Sequence, residues 1–223
     1  MVAPDGLPMP FLQASTSGLA VGVPGTLRGI DLALRRWGSV KLSATLAPAI
    51  ELAEHGFRVN RFLADDIVND GGRTQLQPET SAIFRPGGVP LAEGDWLVQP
   101  DLARTLKRIA AKGPDAFYRG PMARAIVQAQ QRTRSELGDA GRGRMTLADL
   151  AQYQAAIREP LIGHYRGWTV AGMPPPSSGG LSVMQMLGLM ESWDFVDGAP
   201  VYEMFDQKRG GMRPRAAISS PTS

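Results

Sequence analysis

Seven consecutive residues, Pro174, Pro175, Pro176, Ser177, Ser178, Gly179 and Gly180, concentrate more chemically useful features than any other stretch of the chain. Three prolines fix the backbone and forbid both helix continuation and ordinary ladder pairing, while the serines and glycines offer backbone N–H groups where the next helix starts. Two readings stand side by side. One is a stiff structural turn in which serine caps a helix. The other is a wall or anion-presenting corner of an active site, because a fixed backbone lowers the ordering cost of positioning a substrate. Adjacent serines do not by themselves make a nucleophile. Neither the GxxxxGK[ST] phosphate loop nor a GxGxxG following a strand occurs.

The remaining candidates read as structural groups. Arg28, Arg119 and Arg166 are expected to be solvated charges on helices or loops, with Arg119 beside Tyr118 able to position a loop. His55, just before Gly56, fits a helix end, where a cation or donor is favourable. His164 has no second histidine or carboxylate at metal-ligand spacing, and Asp65 and Asp66 are adjacent rather than facing one another on a helix. No metal site and no cofactor are expected. The absence of cysteine excludes disulfides, thiolate ligands and a cysteine nucleophile, and fits either redox compartment.

These residues need elements to hold them. Leu27, Ile30, Leu34 and Trp37 follow helical spacing up to Gly38, and a second helix is expected within SATLAPAIELAEHGF, with Pro48 early in it and Gly56 as its stop. RVNRFLADDIVND holds another, with Phe62, Leu63 and Ile67 on one face. From Gly71 to Gly94, glycine, proline and polar residues remove any steady period, and the segment reads as an irregular connection. Helical order resumes at PDLARTLKRIAAKG, with Asp101 as cap, Leu102, Leu106 and Ile109 as the stripe and Gly113 as the stop. A further helix starts at Pro121. Thr146 and Asp149 have the three-residue offset of a capping interaction. One buried strand is expected through Trp168 and Val170, and a helix with Leu181, Met184 and Leu187 on its apolar face follows the proline turn.

Length and composition set the frame. At 223 residues and 43% apolar, the chain can build a sizeable core without staples. The net charge of +3 depends on the segment from Lys208 to Ser223, which has four basic residues and no acid; the remainder holds 20 basic against 21 acidic residues. No aromatic-interleaved basic stripe or zinc finger supports nucleic-acid binding. No run of 18 apolar residues marks a membrane span, and MVAPDGLPMPFLQ lacks the order of a signal peptide.

The ordered motifs VGVPGTLRG (21–29), LAPAIELAEHGF (46–57), DLARTLKRIAAKGPDAFYRGPMARAIV (101–127), MTLADLAQY, REP, YRG and PPPSSGG resemble the large subunit of the γ-glutamyltransferase, or glutathione hydrolase, family over roughly residues 17–195. The resemblance implies an α+β fold: a predominantly helical fragment of the four-layer αββα sandwich of N-terminal-nucleophile hydrolases. It implies γ-glutamyl acyl transfer from glutathione or another γ-glutamyl compound to water or an amino acceptor. In the family, the nucleophile is a threonine exposed by self-cleavage in a Thr-Thr-His-type segment of the small subunit, and an upstream arginine binds the substrate carboxylate. Neither segment occurs here, so no catalytic residue is assigned and the isolated chain is expected to be inactive, with the missing small-subunit region as its partner. A non-catalytic remnant or scaffold and a fragment of a related β-lactam acylase are the alternatives. Residues 1–16 read as an irregular lead and residues 196–223 as a divergent, disordered basic tail. Complete family members are often periplasmic or extracellular, while this chain carries no address of its own.

Overall fold

The computed structural model describes residues 6–132, 137–191, 195–196 and 199–200. The expected basic tail, apart from those last short pieces, lies outside the described residues. The fold is mixed and rich in helix. It divides into two compact units, residues 1–155 and 156–223.

The first unit runs through helices α1 (Phe11–Ser15), α2 (Thr26–Trp37) and α3 (Leu42–His55), strand β1 (Phe57–Arg58), helices α4 (Arg61–Val68), α5 (Arg73–Leu76) and α6 (Pro78–Phe84), and strand β2 (Trp96–Leu97). Helices α7 (Pro100–Lys112), α8 (Asp115–Tyr118), α9 (Gly120–Arg132) and α10 (Leu147–Gln152) follow. Gly38, Gly56 and Gly113 stand at the C-caps of α2, α3 and α7; the last two have φ of 80° and 74°, a region costly for any residue with a Cβ. Thr146 and Asp149 form a reciprocal capping box at α10.

The structure departs from the expected elements at several positions. Helix α3 begins at Leu42, so Pro48 lies in its interior, and the Ala44 carbonyl that loses a donor belongs to an exposed residue that water can serve. On α2, Ile30 and Trp37 are exposed while Leu27, Asp31 and Leu34 turn inward. On α4, Phe62 is exposed and Ile67 is the buried anchor, with the Asn60 side chain capping through the Leu63 N–H. Gln99, not Asp101, is the N-cap of α7; Asp101 lies in the first turn and pairs with Arg104. Its buried stripe contains Ala103 and Ile109, whereas Leu102 is exposed. Helices α3 and α7 pack together, joined by a Lys107 Nζ to Glu54 Oε1 contact of 2.5 Å that holds the Glu54 carboxyl below its usual range.

Among the described residues, two apolar clusters stabilise this unit. Val59, Ile67, Leu91 and Leu97 form one, under the short β1–β2 ladder. Tyr118, Ala123, Met145 and Leu150 form the other, bridging α8, α9 and α10. Beside the first lies a polar lock in the stretch read as an irregular connection. Buried Arg85 donates from Nε to Thr74 Oγ1 at 2.8 Å and from Nη2 to the Ile67 carbonyl at 2.5 Å, with Asp70 Oδ1 3.6 Å away. Asp70 also accepts from the Gly72 and Thr74 N–H groups. Helices α5 and α6 escaped the periodicity reading because each is too short for a pattern; side-chain bonds, more than propensity, order this segment.

The Thr74 side-chain hydrogen bond leads the influences that lower the Asp70 pKa, with smaller help from backbone bonds and Arg85 against the opposing effect of burial. A depressed folded-state pKa stabilises the fold above about pH 4 and loses that contribution as pH falls through the folded value. Asp70→Asn should therefore cost about 1–3 kcal/mol at neutral pH, by weakening the bonds around buried Arg85. It should also flatten the stability profile below about pH 4. Urea melts of both proteins across that range check the prediction, and unchanged acid sensitivity would contradict it.

The second unit holds the hairpin β3 (Leu161–Tyr165) and β4 (Trp168–Gly172), helix α11 (Ser178–Met190), and the two-residue strands β5 (Phe195–Val196) and β6 (Ala199–Pro200). The expected single buried strand is thus the second arm of an antiparallel hairpin, and Trp168 is 76% exposed. Arg166 and Gly167, both at positive φ, make the two-residue turn.

Candidate functional site

The proline motif connects β4 to α11. The Pro175–Pro176 peptide bond is cis, and the Ser177 N–H donates to the Pro174 carbonyl at 3.2 Å. Ser177 occupies the N-cap of α11 without a side-chain capping bond, so the serine capping expected there is not made. Pro175, Pro176, Ser177, Ser178 and Gly179 are exposed, while Pro174 and Gly180 are half-buried.

Gly180 explains part of the motif. A Cβ there would meet the Met173 carbonyl oxygen at 2.2 Å, and a Cβ on Gly172 would lie 3.0 Å from the Gly180 Cα. A Cβ on Gly163 would meet Met184 Sδ at 2.4 Å. Three glycines therefore let the hairpin and α11 approach more closely than side chains would permit. Half-buried Leu161, Gly163, Tyr165, Val170 and Gly172 face inward by the alternation of the two strands.

Arg166 sits at the hairpin turn, where its N–H donates to the Glu191 carboxylate at 3.1 and 3.3 Å. His164 is exposed on β3 opposite Thr169. His55 ends α3, with Nδ1 3.0 Å from Glu51 Oε2 and its carbonyl accepting from Trp96 Nε1. Asp65 and Asp66 are exposed on α4. Among the described residues, no group of three or more His, Asp or Glu side chains is placed to hold a metal.

Arg28 departs from the expectation of a solvated charge. Its side chain is 18% exposed, its guanidinium lies 4.4 Å from the Tyr118 ring centroid, and Nη2 contacts Asp115 Oδ1 at 2.7 Å. Tyr118 donates to the Pro24 carbonyl at 2.6 Å and accepts from the Arg28 N–H at 3.3 Å. Burial pushes the Tyr118 hydroxyl above its usual range, against the opposing Arg28 bond and charge. The exposed Arg119 donates to the Ala151 carbonyl at 3.0 Å, a bond that does tie its segment to α10. Arg28 and Arg119 meet at a cavity of about 350 Å³ that also takes in Arg35 and Tyr153, two residues that local periodicity did not single out. Gly25, within VGVPGTLRG, packs under Tyr153, where a Cβ would lie 2.2 Å from the phenol oxygen.

The γ-glutamyltranspeptidase family model matches residues 4–205. This chain belongs to the γ-glutamyltranspeptidase family. It is 42% identical over 190 residues to the glutathione hydrolase proenzyme of Bacillus subtilis (strain 168), covering 85% of this chain and 31% of that protein. It is 44% identical over 175 residues to the acylase ACY 1 proenzyme of Pseudomonas sp. (strain SE83), covering 78% and 30%. The crystal structure of Helicobacter pylori γ-glutamyltranspeptidase superposes with a TM-score of 0.75 at 35% identity, over 86% of this chain and 53% of that one. The helix-rich mixed fold thus resembles the N-terminal-nucleophile hydrolase fold of its γ-glutamyltranspeptidase relatives, and the chain spans under a third of the curated relatives' length.

Proposed function

We propose that these residues form the large-subunit portion of a γ-glutamyl acyltransferase or glutathione hydrolase. The similarity to a glutathione hydrolase proenzyme over 190 residues carries the reading. In the reaction, a threonine Oγ attacks the γ-glutamyl carbonyl with an amine as base and expels the donor's amine. Water or an amino acceptor then takes the acyl group and regenerates the hydroxyl.

No Thr-Thr-His sequence lies within the 223 residues. The proposal therefore places the nucleophile outside them and gives this chain a scaffolding role. The hairpin β3–β4 joins the central sheet of a four-layer αββα sandwich, and the proline turn fixes α11 against it. A fragment of an acylase is the second reading, supported by the similarity to the ACY 1 proenzyme.

The two readings separate on the complete product of the gene that encodes these residues, assayed with a γ-glutamyl anilide and with an acylated β-lactam. Release from the anilide, lost when the nucleophilic threonine is replaced by alanine, is expected. Release from the β-lactam alone would transfer the assignment to the acylases, and turnover of neither would leave the chain a scaffold.

A further inference from the structure

The family reading leaves unexplained a concentration of positive charge in the first unit. Arg28, Arg35 and Arg119 come from α2 and from the residue after α8, and they line one cavity of about 350 Å³ together with Leu32, Tyr153 and Gln154. Three arginines lining one hollow carry like charge, and that arrangement is favourable only where anions offset it.

The carboxylates that do so stand outside the lining. Asp115 holds Arg28 at 2.7 Å and Asp31 holds Arg35 at 2.8 Å. Arg119 is met by the neutral Ala151 carbonyl. Three arginines against two aspartates leave one positive charge, and a guanidinium has five N–H donors in a fixed fork of which these contacts engage only part. Arg28 Nε is buried without a hydrogen bond. Arg28 is also held by its stacking on Tyr118, which limits the ordering cost of binding.

We propose that this cavity is a binding site for a small oxyanion, a short dicarboxylate or a phosphate. A planar carboxylate and a tetrahedral phosphate both match the guanidinium fork. The volume lies at the small end of ligand pockets, which sets the size class. Leu32 and the Tyr153 ring provide apolar wall for a short carbon chain. The site belongs to the scaffold and does not depend on γ-glutamyl chemistry.

Isothermal titration of the full 223-residue chain with malonate, with inorganic phosphate and with neutral malonamide tests the inference. Saturable one-to-one binding of malonate or phosphate is expected, at least tenfold weaker in Arg119→Gln and in Arg35→Gln, and absent with malonamide. Arg119→Lys should recover only part of the loss, because a point charge lacks the fork. Malonate alone saturating would assign a carboxylate ligand, and phosphate alone a phosphate. Both variants alter exposed arginines, and circular dichroism checks that each keeps its helix content. Non-saturable heats with both anions, equal affinity in both glutamine variants, or equal binding of malonamide would overturn the proposal.

Discussion

Replacing Tyr118 with alanine should remove about 3–5 kcal/mol of stability, the range for deleting a buried aromatic side chain. Tyr118 is fully buried, stacks on Tyr153 with ring centroids 6.1 Å apart, and meets Phe117 edge-on at 5.0 Å. It also ties the Pro24 carbonyl and the Arg28 N–H, at the start of α2, to α8. Tyr118→Phe keeps the rings and loses only those bonds, and should cost about 1–3 kcal/mol. Because burial raises the hydroxyl's pKa, its contribution is complete below about pH 10 and is lost as pH rises through the folded value. Tyr118→Phe should therefore lose less stability than the parent above about pH 10. Denaturant melts of the three proteins check the order, and an alanine variant as stable as the phenylalanine variant would contradict it.

The β3–β4 hairpin should be less stable than the helices α7 and α9 of the first unit. Among the described residues, β3 and β4 pair only with each other, so each presents an open edge. Ile162, Trp168, Met186 and Leu189 are all more than half exposed. An isolated two-stranded hairpin is marginal in water, and one helix covers only part of its apolar surface. Hydrogen exchange should show the amides of β3 and β4 opening well before those of α7 and α9, accompanied by binding of an apolar-surface dye. Protection of Trp168 and Val170 equal to that of Ile109, with no dye binding, would show that the hairpin completes its own core.

Local chemistry made helix ends legible and left long-range packing hidden. Gly56 and Gly113 announce their stops because positive φ is a property of single residues, and Thr146 with Asp149 announces a cap three residues away. Arg28 is different: its inward turn depends on Tyr118 and Asp115, 90 and 87 residues distant, which no periodicity within α2 reports. The same blindness misplaced part of the stripe of α2, where Asp31 turns inward while Ile30 and Trp37 are exposed. Asp70 and Arg85 give a related lesson. A polar lock ordered the stretch that looked irregular, because hydrogen bonds leave no hydrophobic period. The proline motif was visible as a rigid unit, but the steric reason for Gly180 required the approach of Met173. The γ-glutamyltransferase resemblance was legible because several motifs keep their order along the chain.

Under the proposed function, these 223 residues provide scaffold and the nucleophile of the acyl transfer lies outside them. Incubation of the purified chain with a γ-glutamyl anilide, with intact mass read from the same tube, addresses it most directly. The chain should release no product above the blank and keep the mass of the uncleaved polypeptide, because neither a Thr-Thr-His segment nor another assigned nucleophile lies within it. Turnover that follows the chain through purification and vanishes on unfolding, or first-order self-cleavage into two stoichiometric fragments, would contradict the claim.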